Sequence, residues 1–281
     1  MPKLGSSRAV ASLPLWAWPT ALSLDAPTVA VAWQLLFARS FGVALTPYHV
    51  LGLGLTVWLV YAGDRLLDSF KLDLQRSHTY RHALVARYRG VFALLWLVVL
   101  GIDGALMLTG LNRADVALGL VVLGAVALYG LGIHLAQPNR VVFTKELRVG
   151  LVFALGVTLP VWTRVPSGEL LVGALLVAAL CSLNCLLIAV WERGADAAQG
   201  QVSLALAWPW LGTVLEPALL ALSLLALLSA FWLPPPLSVA LGSSAFLLWM
   251  LQRSRGLPAE LLRTLVDVAL LTPFVVLPFR V

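Results

Sequence analysis

Asp64-Arg65-Leu66-Leu67-Asp68 and Glu192-Arg193-Gly194-Ala195-Asp196 share one form: an acid, an arginine, two further residues and a second acid. On a helix, residues four apart lie one above the other on the same face, so each motif stacks two carboxylates. Like charges placed this way repel unless a cation lies between them. Mg²⁺ suits the position, because it takes one or two carboxylates together with phosphate oxygens. A single pair of this kind reads more readily as a solvated helix end; two pairs of matching form favour a shared site. Arg65, Lys71, Arg140, Lys145 and Arg193 are expected on the same side of the membrane as the two motifs and could grip phosphate oxygens, the arginines bidentately. For each of them alone, the charge bias of a membrane protein is the competing account. Tyr61, Asp73 and Asn184 are further polar candidates. Asn184 stands two helical steps before Glu192 and could place an amide deeper in the same chamber. Asp73 follows Asp64 by nine residues, so on an unbroken helix it turns to the far side at about 100° per residue.

The elements that must position these residues are membrane helices. The chain is 60% hydrophobic and 11% charged, with a mean hydropathy of +0.93. A soluble domain carries about 25% charged residues. The apolar runs are long and rich in Leu, Val, Ala and Gly, which means helices rather than a barrel of short alternating strands. The expected fold is an all-α integral membrane protein. A tail covers 1–19 and one transmembrane domain covers 20–281. Nine spans are expected, near 20–44, 46–67, 90–109, 114–135, 146–163, 169–191, 210–232, 237–252 and 258–279. Thr46-Pro47, Gly110 to Arg113 and Pro166-Ser167-Gly168 mark turns between them. Polar loops are expected at 68–89 and 192–208. The first twenty residues hold no clear cleavable signal.

Alternating spans place fifteen of the nineteen lysines and arginines on one side and four on the other. The positive-inside rule makes the richer side cytoplasmic, with the N-terminus in and the C-terminus out. Both acidic motifs fall on that side. The net charge of +6 therefore reads as topology, and no nucleic-acid partner is expected. Asp25, Asp103 and Asp267 lie in or near spans, where acids are functional candidates. Arg263 and Asp267, four apart, read as an ion pair. Cys181 and Cys185 read as small packing residues, and His134 as a polar cap. Trp162, Trp191, Trp208, Trp210 and Trp232 read as interfacial anchors.

These features resemble the UbiA superfamily of intramembrane prenyltransferases. The resemblance runs from about 20 to 279. It rests on nine helices, a cytoplasmic N-terminus and acidic motifs after the second and sixth helices. Asp64 and Asp68 match the aspartates of the family's first motif, N-x-x-x-D-x-x-x-D. Glu192 and Asp196 match the second, D-x-x-x-D, with Glu first. The stretch from Lys145 to Gly156 is similar to the family's fifth-helix start. Val60 stands where the family has Asn, and Tyr61 where it often has Asp.

The resemblance implies a Mg²⁺-dependent transfer of a prenyl group from a prenyl diphosphate to a lipophilic acceptor, most often an aromatic ring or a hydroxyl. Asp64, Asp68, Glu192 and Asp196 would be the metal and catalytic residues. A cyclase of the same superfamily would use the same diphosphate site without an acceptor. A lipid-binding or transport role is the other alternative, although these acids cluster at one surface rather than at the midplane. The implied location is multi-pass in a bacterial inner membrane with the site facing the cytoplasm. Membrane lipid is the expected surrounding, and no obligate protein partner is evident.

Overall fold

The structure, a computed structural model, describes residues 13–70, 79–135, 145–200, 203–254 and 256–278, without the side chains of 129–135 and 145. Every regular element among them is a helix. After a 3₁₀ turn at Leu15–Ala17 come α1 (Trp18–Ala21), α2 (Asp25–Ser40), α3 (Pro47–Ser69), α4 (Tyr80–Arg87), α5 (Arg89–Gly110), α6 (Arg113–Leu135) and α7 (Lys145–Trp162). They are followed by α8 (Gly168–Gln199), α9 (Leu204–Ala207), α10 (Leu211–Leu228), α11 (Pro235–Arg253), α12 (Ala259–Ala269) and α13 (Thr272–Val276).

Helices stand at all nine expected positions, the last as the broken pair α12 and α13. Four are long and apolar enough to cross a membrane: α3, α5, α8 and the stretch Leu211–Phe231. The bent pair Leu15–Ala21 and Asp25–Ser40, at 79°, makes a fifth if counted as one span. The first expected span is thus two helices with a corner at residues 22–24. Ser23 sits there at φ 60°, in the left-handed region that a residue with a Cβ seldom adopts. Arg65 from α3 holds the corner in place. Its Nη1 donates to the Thr20 carbonyl at 2.5 Å and to Ser23 Oγ at 2.8 Å.

The helix starts follow ordinary capping chemistry. Thr46 and His49 form a reciprocal cap on α3, with Pro47 in the first turn. Ser167 Oγ accepts from the Leu170 N–H at the start of α8. At the far end, α8 continues past the expected boundary at residue 191. Nothing between Glu192 and Gln199 breaks a helix, and it stops at Gly200, whose φ of 68° is the left-handed cap glycine favours. Residues 192–199 are therefore helix, not loop. With 32 residues, α8 is about 48 Å long, more than the roughly 30 Å of bilayer hydrocarbon. The segment expected as a loop at 68–89 likewise contains α4.

The buried core is centred on α8. Its apolar window is 56% buried, against 11% for peripheral α5. Small residues allow the closest approaches, as expected where lipid provides no hydrophobic drive between helices. A Cβ added to Gly150 of α7 would stand 2.4 Å from the Ala178 carbonyl oxygen of α8. Hydroxyls tie the C-terminal helices: Ser223 donates to the Gly242 carbonyl at 2.9 Å, and Thr272 to the Ala240 carbonyl at 2.8 Å. Three indoles also act as staples. Trp33 donates to the Leu270 carbonyl, Trp58 to Leu22 and Trp96 to Leu59.

Candidate functional site

Tyr61 on α3, Asn184 and Cys185 on α8, and Asp267 on α12 line one cleft. Its remaining walls, including Val29, Phe153 and Leu270, are apolar. The tertiary fold therefore brings α3 and α8 together one turn before Asp64 and two turns before Glu192. Both helices run toward the same end of the bundle. Each motif remains helical, so Asp64 stacks on Asp68 and Glu192 on Asp196 as their spacing predicts.

The individual side chains differ in setting. Asp64 is exposed, and Asp68, Asp196 and Arg193 are half-buried. Tyr61, Arg65 and Asp68, spaced four and three apart, form the more interior side of the end of α3. Val60, at the position where the family has Asn, is exposed. Glu192 is half-buried, and its Oε2 accepts from Arg81 Nη2 at 2.6 Å. Arg65 is buried and bonded to the N-terminal corner, so it acts there as a structural brace. Lys71, Asp73 and Arg140 lie outside the described residues. Lys145 begins α7, and its side chain also falls outside them. Among the described residues, no group of three or more His, Cys, Asp or Glu side chains is close enough to hold a metal ion. Each acidic pair still offers the one or two carboxylates that Mg²⁺ uses when phosphate oxygens supply the rest.

Sequence reasoning missed the neighbours that knit this end together. Arg81 was only one positive charge among several in an expected loop. In the structure its helix, α4, turns Arg81, Leu84 and Val85 inward, and Arg81 links α4 to α8. Glu260, at the start of α12, lies within electrostatic reach of both Arg81 and Glu192. Burial pushes the Tyr80 phenol above its ordinary range, so it stays neutral beside them. Asp25 and Asp267 flank Arg263, with Arg263 Nη1 donating to Asp267. The expected ion pair between Arg263 and Asp267 is present. The cysteines carry no disulfide, and both line the cleft.

A second polar centre occupies the opposite end, where the sequence showed none. Asp115, in the first turn of α6, joins His49 of α3 to Arg164 just past α7. Asp103 is buried between α3 and α5, where it accepts from Thr56 Oγ1 at 2.7 Å. Trp210 and Trp232 are exposed as interfacial anchors would be, whereas Trp162, Trp191 and Trp208 pack against the core.

No protein-family model matches the chain, and no curated protein matches it either.

Proposed function

We propose that this protein is a Mg²⁺-dependent intramembrane prenyltransferase of the UbiA kind, moving a prenyl group from a prenyl diphosphate to a lipophilic acceptor. One observation carries the reading. Two helices, each ending in a stacked acidic pair, flank the same apolar-walled cleft and carry their pairs at the same end of it. A prenyl diphosphate needs this arrangement of an apolar bed with a charged mouth. Asp64, Asp68, Glu192 and Asp196 are the residues that would hold Mg²⁺. Held by these carboxylates, Mg²⁺ would supply the positive charge that stabilises a departing diphosphate. Arg193 and Arg81 complete the positive side of the mouth. Glu192, bonded to Arg81, would have to exchange that partner to hold the ion. The apolar walls of the cleft exclude water from the allylic carbon while the acceptor approaches it.

The test is diphosphate release. Purified protein in detergent, given Mg²⁺, a panel of prenyl diphosphates and candidate acceptors, is expected to release pyrophosphate and to stop when EDTA is added. Protein that binds a prenyl lipid yet releases none with any donor overturns the enzyme reading. Product analysis without added acceptor separates cyclisation from transfer.

The proposed topology is nine spans with the motif end in the cytoplasm, on the charge bias given above. In a background with Cys181 and Cys185 replaced, cysteines at Tyr88 and Ala197 are expected to label from the cytoplasmic side and one at Val165 from the other. Labelling of Tyr88 and Ala197 from opposite sides sinks the topology.

A further inference from the structure

We propose that the cleft holds a hydroxyl of the acceptor between Asn184 and Asp267, and that Asp267, backed by Asp25, receives its proton. The proton transfer rests on the prenyltransfer reading; the hydroxyl site does not.

The observations concern unpaired atoms. Asn184 is 6% exposed, lines the cleft, and its Oδ1 has no hydrogen-bond partner. An amide oxygen buried without a donor costs free energy on the order of 1–3 kcal/mol, so the site is built for a ligand that donates. Asp267, 8% exposed, presents a second acceptor to the same space, and the Tyr61 phenol stands across from it. Counted out to its open side, the cleft is about 320 Å³, and it narrows to the room of about one water molecule. That is space for one hydroxyl at the narrow end, with the body of the acceptor toward the open side.

Asp25 explains how Asp267 can take a proton. The two carboxyls lie within hydrogen-bond reach of each other. Asp25 Oδ1 accepts from the Ala26 N–H, whereas Oδ2 has no donor, with Arg263 Nη2 at 3.9 Å. A proton arriving on Asp267 supplies the missing bond. The surrounding charge agrees. Arg65 from α3, Arg81 from α4 and Arg263 from α12 meet Asp25 from α2, Glu192 from α8, and Glu260 and Asp267 from α12. Asp25 and Asp267 flank the one guanidinium of Arg263, and a proton on Asp267 leaves a single carboxylate facing it. The Tyr61 phenol and the Cys181 and Cys185 thiols are the other titratable groups that line the cleft beside Asp267.

The step balances. The allylic C–O bond of the donor breaks and its electron pair leaves with diphosphate. The acceptor oxygen bonds the prenyl carbon, and the hydroxyl proton passes to Asp267. Attack through a ring carbon gives the same balance, because the proton lost as the ring regains aromaticity restores the one given up by the oxygen.

Phenol and anisole are the probes, since anisole keeps the ring and the oxygen and has a methyl group in place of the donated proton. By calorimetry, wild-type protein is expected to bind phenol at least about tenfold tighter than anisole, and Asn184→Leu to lose the difference. Equal binding of the two by wild-type protein overturns the hydroxyl site. With phenol as acceptor, Asp267→Asn is expected to lower the kcat of transfer by about a hundredfold or more, with KM for the prenyl diphosphate unchanged. Asp25→Asn is expected to shift the acid limb of the pH profile. Transfer by Asp267→Asn at the wild-type rate overturns the proton role. Preference for phenol in a protein that releases no diphosphate would uphold the hydroxyl site and remove the prenyltransfer reading instead.

Discussion

Asp68→Asn is expected to lower diphosphate release by at least about a hundredfold while leaving the protein folded. Asp68 lies one helical turn above Asp64 at the end of α3 and is half-buried, whereas Asp64 is exposed. Of the pair, it is therefore the carboxylate nearer the interior of the bundle. Asparagine keeps the size of the side chain and part of its hydrogen bonding, and removes only the charge that a cation needs. Folding should tolerate the change, because it also removes repulsion from Asp64. The matching change at Glu192 is less clean. Glu192→Gln also weakens the bond from Arg81, so lost activity there would mix positioning of α4 with loss of charge. Raising Mg²⁺ is expected to restore part of the release by Asp68→Asn if the lost charge held the ion. Full release by this variant at ordinary Mg²⁺ removes Asp68 from the site.

The positions of the helices were legible because an apolar run of about twenty residues admits few other structures. The acidic motifs were legible because their spacing is a helical one. The end of α8 was misplaced for a physical reason. Charge at Glu192 and Arg193 marks where the chain leaves the hydrocarbon, not where the helix stops, and the stop lies at Gly200. The corner at Leu22 to Leu24 had no signal either, since neither glycine nor proline occupies it and it depends on Arg65, some forty residues away. Long-range partners were equally hidden. Arg81 and Glu192 are 111 positions apart, and in sequence Arg81 is one basic residue among many. Arg263 and Asp267 were found because both partners lie on one helix.

Asp115→Ala is expected to destabilise the protein by about 3–5 kcal/mol, the range for breaking a buried charge pair by removing one partner. The Asp115 side chain is fully buried. Its carboxylate accepts from Arg164 at 3.0 and 2.8 Å, from Thr163 Oγ1 at 2.5 Å and from Asn112 Nδ2 at 2.6 Å. His49 Nε2 stands 2.9 Å away. His49 Nδ1 receives the Thr46 backbone N–H, so a neutral ring carries its proton on Nε2 and donates it to Asp115. Removing the carboxylate leaves these donors without their acceptor and releases α3, α6 and α7 from one another at this end. Arg164→Met should cost less, because the arginine side chain is 29% exposed and water can replace part of what it loses. Unfolding by SDS in mixed micelles measures both variants. The network lies far from the motifs, since Asp64 follows His49 by fifteen residues, about 22 Å along α3. Diphosphate release per folded molecule should therefore be unchanged in Asp115→Ala. A loss of stability below about 1 kcal/mol, the range of an exposed ion pair, would mean that this network does not hold the three helices together.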